Sequence, residues 1–234
     1  VRLSDSSEEG RVIRLRRPAV VSMSTRIWTP DTHLLPEAEM EWLKRVDINP
    51  ALYDGWLIQV AGVHRNGYGG VVIQGFKCSY RWYAAQAGDL DVGCRPLGVK
   101  GVACCGDKVL FGKRAAWTSH SPSLWELAPS GGVEPGHSPD EAIRAELVEE
   151  VGVEVVSPPR AECVMFDPAA LSWEVVLTLS LTSEEVNPNT SEYESLVWAH
   201  PTSPPGELTT IAGRVLAYLR PNERPATGTR SSNH

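Results

Sequence analysis

Three carboxylates, Glu146, Glu149 and Glu150, stand at the spacing i, i+3, i+4 within the stretch Gly131 to Val153, GGVEPGHSPDEAIRAELVEEVGV. On a helix that spacing gathers them within an arc of about 100° on one face. Like charges so close repel one another, and a hard divalent cation, which prefers oxygen ligands, relieves the repulsion. Such a cation also polarises a bound diphosphate, so the chemistry to look for is metal-assisted phosphoryl chemistry. Taken alone, an acidic triplet on a helix is usually a solvated face.

The elements around the triplet are specific. Ser138 suits an N-cap, Pro139 the first helical position, and Glu141 completes a capping box. Gly152 suits the left-handed position that closes a helix. Ile143, Leu147 and Val151, at i, i+4, i+8, form an apolar stripe beside the acidic one. The stretch therefore predicts a glycine loop, a capped amphipathic helix and a glycine stop.

These residues resemble the Nudix box, the signature of the Nudix hydrolases. Gly131 matches its opening glycine, Glu146 the Glu of its Arg-Glu pair, Glu149 and Glu150 its Glu-Glu pair, and Gly152 with Val153 its close. Two positions depart: His137 stands where the box has a Glu, and Ala145 where it has an Arg. The resemblance implies an α/β/α sandwich around a mixed β-sheet, with Glu146, Glu149 and Glu150 holding Mg²⁺ or Mn²⁺ and the Gly131 carbonyl as a further ligand. It also implies hydrolysis of a nucleoside diphosphate linked to another group. Glu192 and Glu194, in NTSEYESLVW, match a region where some members carry an extra acid, and Glu194 joins the catalytic candidates. Two acids in a polar loop are otherwise simply solvated.

The upstream half bears on the substrate. NPALYDGWLIQVAGV, KCSYRWYAAQ and PLGVKGVACCGDKVLFGKR are similar to segments of the Nudix branch that cleaves UDP-glucose and UDP-galactose. That likeness implies a UDP-sugar substrate giving UMP and a sugar 1-phosphate. ADP-ribose or another nucleoside diphosphate derivative remains an alternative, as does a catalytically silent nucleotide-binding module. Tyr80 and Arg81 suit base stacking and phosphate pairing, although Trp82 and Tyr83 beside them also read as core. Lys113 and Arg114, at a strand end leading toward the box, are further phosphate candidates, and exposed strand-end charges would look the same.

Composition sets the frame. The chain has 234 residues and a net charge of -7, which disfavours non-specific nucleic-acid binding. Five cysteines without a regular framework argue against a secreted disulfide scaffold. The adjacent Cys104 and Cys105 read as buried thiols. No apolar run reaches the roughly eighteen residues of a membrane span, and the start lacks a signal-peptide pattern, so a cytoplasmic protein with no membrane partner is expected. Many members of the resembled family are dimers; the residues leave the oligomeric state open.

Along the chain the expected organisation is a flexible N-terminal extension over 1–26 and a β-rich substrate-side subdomain over 27–96. A Nudix hydrolase domain over 97–220 and a disordered tail over 221–234 follow. In the 27–96 subdomain the patterns predict a helix over 36–46 and strands over 56–63 and 69–76. A hairpin is expected through Gly106-Asp107, strands near 153–156, 162–167 and 173–181, and a last helix over 207–219.

Overall fold

The computed structural model describes residues 10–50, 52–86, 90–118, 120–155, 157–188 and 192–219. The expected tail 221–234 lies outside them. In chain order the strands are β1 (Val12–Arg14), β2 (Val20–Trp28), β3 (Trp56–Arg65), β4 (Val71–Ser79), β5 (Leu97–Cys105), β6 (Lys108–Arg114), β7 (Trp125–Leu127), β8 (Ser130–Gly132), β9 (Arg160–Asp167), β10 (Ser172–Ser180) and β11 (Tyr193–Ala199). The helices are α1 (Leu35–Ile48), α2 (Tyr80–Ala84), α3 (Pro139–Glu146), which runs into a π-helical turn (Leu147–Val151), and α4 (Thr210–Leu219).

The large sheet is mixed, in the order β1-β9-β10-β5-β6-β11, with β7 on β6 and β8 on β5. Its parallel pair is β10–β5; the other pairs are antiparallel. Alternation along its strands feeds two cores. Val99, Val175, Leu177 and Leu179 pack with Ile143, Leu147 and Val151 of the box helix. Val102, Val176 and Phe111 pack with Ile211, Val215 and Leu216 of α4. Helices thus cover both faces, the expected α/β/α sandwich. The stripe Ile143, Leu147 and Val151 is fully buried, which contributes about 1.5–3 kcal/mol per side chain. A second sheet, β2-β4-β3, carries α1 and α2, and no described helix is long and apolar enough to cross a membrane.

Several expectations need correction. Over residues 10–26 the N-terminal segment is not a loose extension. β1 pairs with β9, burying Ile13 and Leu15, and β2 pairs in parallel with β4. The period-two pattern Ile13, Leu15 was the strand signal, outweighed by the arginines interleaved with it. Val153–Val155 form no strand, because the chain there leaves the helix stop. The glycine loop is itself partly strand, as β8. Cys104 and Cys105 are half-buried, since they sit at the hairpin end of β5.

Gly152 closes the box helix as expected, with φ +76°. Its N–H donates to the carbonyls of both Leu147 and Val148, the i−5 and i−4 partners of a widened turn. A Cβ here would lie 1.8 Å from the Asn187 carbonyl oxygen. Gly152→Ala is therefore expected to lose about 1–3 kcal/mol, from a strained φ plus a backbone clash, read as a lower urea midpoint.

Candidate active site

The capping box is formed: the Glu141 N–H donates to Ser138 Oγ, and Glu141 accepts from the Ser138 N–H. From this fixed start the helix carries its three carboxylates to three depths. Glu149 is exposed, Glu146 half-buried, and Glu150 only 3% exposed.

Glu146 lies against β8. A Cβ on Gly131 would stand 1.8 Å from its Oε1, so only glycine leaves this space. Burial first, then the charge of Glu149, pushes the Glu146 carboxyl up to about 7. Gly131→Ala would displace only the end of a flexible side chain, so its expected effect is a loss of activity with little change in thermal midpoint.

Glu150 points inward. The ladder between β8 and β5 is bonded at Gly101 N–H to the Pro129 carbonyl and at Val133 N–H to the Leu97 carbonyl. Alternation then turns the Ser130 N–H away from β5. That N–H donates to Glu150 Oε2 at 2.7 Å, and the Tyr193 hydroxyl donates to the same oxygen at 3.2 Å. Burial raises the Glu150 carboxyl well above its ordinary range, against the Ser130 hydrogen bond. The same alternation engages the Gly131 carbonyl in the ladder opposite Val99. The triplet therefore does not converge as one three-carboxylate cage, and among the described residues no three His, Cys, Asp or Glu side chains do.

Two clefts meet at Glu146. The larger, about 640 Å³, also holds Glu149, His137, Ala145, Tyr53, Trp56 and Tyr80. The smaller, about 350 Å³, holds Tyr80, Lys100, Arg114, Glu126, Glu174 and Glu192. Glu126, 2% exposed, accepts from Lys100 Nζ at 2.8 Å and is also paired with Arg114. Burial alone would raise the Glu126 carboxyl; the two cations outweigh it and hold it below its ordinary range.

Of the expected site residues, Glu146, Glu149, Tyr80, Gly131 and Arg114 line these clefts. Arg81 does not: its guanidinium is held by Asp54 (2.6 Å) and Glu39 (3.2 Å). Lys113 and Glu194 pair with each other at 2.7 Å away from both clefts. Adjacent residues of a strand face opposite ways, so Arg114 turns in where Lys113 turns out. Glu192 is the acid that reaches the cleft, and Tyr193, buried, is the inward residue of β11. His137 is exposed, 4.0 Å from Glu134. Lys100, Glu126 and Glu174 were not among the expected residues: each is the one charged residue of its strand, and no local pattern marks it.

The family model for the NUDIX domain matches residues 95–219, more than half of the chain. The chain belongs to the Nudix family. A curated relative, isopentenyl-diphosphate Delta-isomerase of Corynebacterium diphtheriae, is 26% identical over 104 residues, 40% of this chain. The match spans 57% of that relative's length. Similar solved structures include the MutT Nudix hydrolase of Burkholderia pseudomallei, at 22% identity and TM-score 0.45, covering 53% of this chain and 96% of that one. The Nudix domain of Shewanella oneidensis NrtR, solved with ADP ribose, is similar at 18% identity and TM-score 0.46, covering 59% and 94%. An ADP-ribose pyrophosphatase of Streptococcus suis is similar at 22% identity and TM-score 0.40, covering 52% and 87%.

Proposed function

We propose that this Nudix protein is a metal-dependent pyrophosphohydrolase of nucleoside diphosphate derivatives, with a UDP-sugar as substrate and UMP and a sugar 1-phosphate as products. The observation that carries the reading is the position of Glu146 where an aromatic cleft and an ionic recess meet. A diphosphate lying there would have one substituent in each.

The donor set suits Mg²⁺ or Mn²⁺. Such an ion commonly takes one or two carboxylates and completes its shell with water and substrate phosphates. Glu146 and Glu149 face the cleft and, among the described residues, have no hydrogen-bond or ion-pair partner. Glu150 backs them from the core. A bound divalent cation would neutralise charge on the phosphoryl oxygens and acidify water at neutral pH. The residues of this chain do the rest. Arg114 and Lys100 supply positive potential beside the junction, tempered by Glu126. Glu192, whose carboxyl is raised by burial, lines the recess and would receive the proton from water, whereas Glu194 pairs with Lys113 and lines neither cleft. Tyr80 lines both clefts and positions the substrate between them.

The pH dependence of cation binding follows from Glu146. Its proton competes with the cation, so Mg²⁺ affinity should fall as pH drops below about 7. The raised carboxyl also means that the metal-free fold binds more protons than the unfolded chain between the ordinary carboxylate range and about 7. Its stability is therefore expected to decline as pH rises through that window, and Mg²⁺ to restore it, as thermal melts at several pH values would read.

The deciding experiment incubates the protein and Mg²⁺ with UDP-sugars, other nucleotide sugars, ADP-ribose and NADH, with products followed by phosphorus NMR. UMP and a sugar 1-phosphate, absent in EDTA, support the reading; turnover of ADP-ribose alone replaces the substrate and keeps the mechanism. A silent binding module is the second reading, motivated by Ala145 and His137 at the cleft wall. It predicts nucleotide affinity without product, with Mg²⁺ or Mn²⁺ alike.

A further inference from the structure

The two clefts that meet at Glu146 differ in chemistry. In the larger, Tyr53 is 80% and Trp56 44% exposed, with Lys77 Nζ 3.9 Å over the Trp56 ring. Exposed aromatic faces at a cleft suit a flat π-system. The smaller recess is ionic and shielded. Glu174 in it is 5% exposed and accepts from the Ser172 hydroxyl at 2.6 Å. Gly98 is its neighbour in the parallel β10–β5 register, and a Cβ there would lie 2.5 Å from Glu174 Oε2. The glycine thus keeps open the space beside the second carboxylate oxygen. A desolvated carboxylate is a strong hydrogen-bond acceptor and a poor host for an apolar group.

We infer that the ionic recess takes the polyhydroxylated half of the substrate, with Glu174 accepting from its hydroxyls, while the nucleobase stacks at Tyr53 and Trp56. This orientation rests on the nucleotide-sugar reading above. It makes Glu174 a specificity residue that discriminates by hydroxyl count, because a site built to bond hydroxyls is left with unpaired polar groups by an analogue lacking them.

The test separates the substrate's halves. UMP, glucose 1-phosphate and cyclohexyl phosphate, which lacks the sugar hydroxyls, are titrated calorimetrically against the full chain with Mg²⁺. UDP-glucose turnover is measured alongside. The wild type should prefer glucose 1-phosphate to cyclohexyl phosphate by roughly tenfold or more. Glu174→Gln and, independently, Ser172→Ala should shrink that preference and leave UMP binding unchanged; Trp56→Ala should weaken UMP alone. Circular dichroism verifies that each variant is folded, and Ser172→Ala, the milder change, carries the test if Glu174→Gln is not. Equal binding of the two phosphates, or Trp56→Ala weakening the sugar phosphate rather than UMP, overturns the orientation even where UDP-glucose is hydrolysed. A wild type that binds neither half and does not hydrolyse UDP-glucose overturns the orientation and the nucleotide-sugar reading together.

Discussion

Glu146→Gln is expected to lower kcat by roughly 10²–10³-fold, the usual effect of removing one group that stabilises developing charge. The amide matches the carboxylate in shape, so it still fits against Gly131, where no Cβ intervenes. It loses the negative charge that a cation would bind. It also removes repulsion with Glu149, which helps to raise the Glu146 carboxyl. The metal-free variant should therefore melt no lower than wild type while turnover collapses. Stability and activity moving in opposite directions is the sign of a functional carboxylate, not a structural one. Wild-type turnover in the variant would remove Glu146 from the chemistry.

Glu126→Ala should have the largest effect on stability. The carboxylate is buried between Lys100 and Arg114, and Lys100 is itself shielded beneath the recess. Removing the acid leaves two cations without their partner, and breaking a buried pair in this way costs about 3–5 kcal/mol. For a chain of this size the thermal midpoint should fall on the order of 10 °C. Because the folded-state pKa of Glu126 is held below its ordinary value, its contribution is present above the ordinary carboxylate range. It is lost as pH falls through the lowered pKa. The difference between wild type and variant should thus be constant near neutrality and shrink only in acid. A thermal midpoint within about 2 °C of wild type at pH 7 would show that solvent screens the triad.

What could be read from the residues alone follows the range of the interaction. The box helix was legible because its signals are local. Ser138 and Glu141 lie three residues apart and cap the same turn. Ile143, Leu147 and Val151 repeat at helical spacing and are the face that is buried. Gly152 takes the positive φ that its position demanded. The hairpin at Gly106 was legible for the same reason, a short turn between two strand patterns. Strand β1 was not, because a strand of three residues, Val12–Arg14, is too short for a local pattern to stand out among the arginines until β9 pairs with it.

The sequence by itself therefore determined the family and the layered fold, since glycine loop, cap and carboxylate spacing all act within a few turns of chain. Only the tertiary structure decided where each carboxylate lies. Strand β8 and Tyr193 draw Glu150 inward while Glu146 and Glu149 stay at the cleft. The ion pair with Lys113 takes Glu194 away from the cleft that Glu192 reaches. Asp54 and Glu39 hold Arg81, and β5, β6, β7 and β10 assemble Lys100, Arg114, Glu126 and Glu174 into one recess. The reason is physical: burial and ion pairing depend on strands distant in sequence becoming neighbours, and a lone polar residue in a strand carries no sign of which neighbour it will meet.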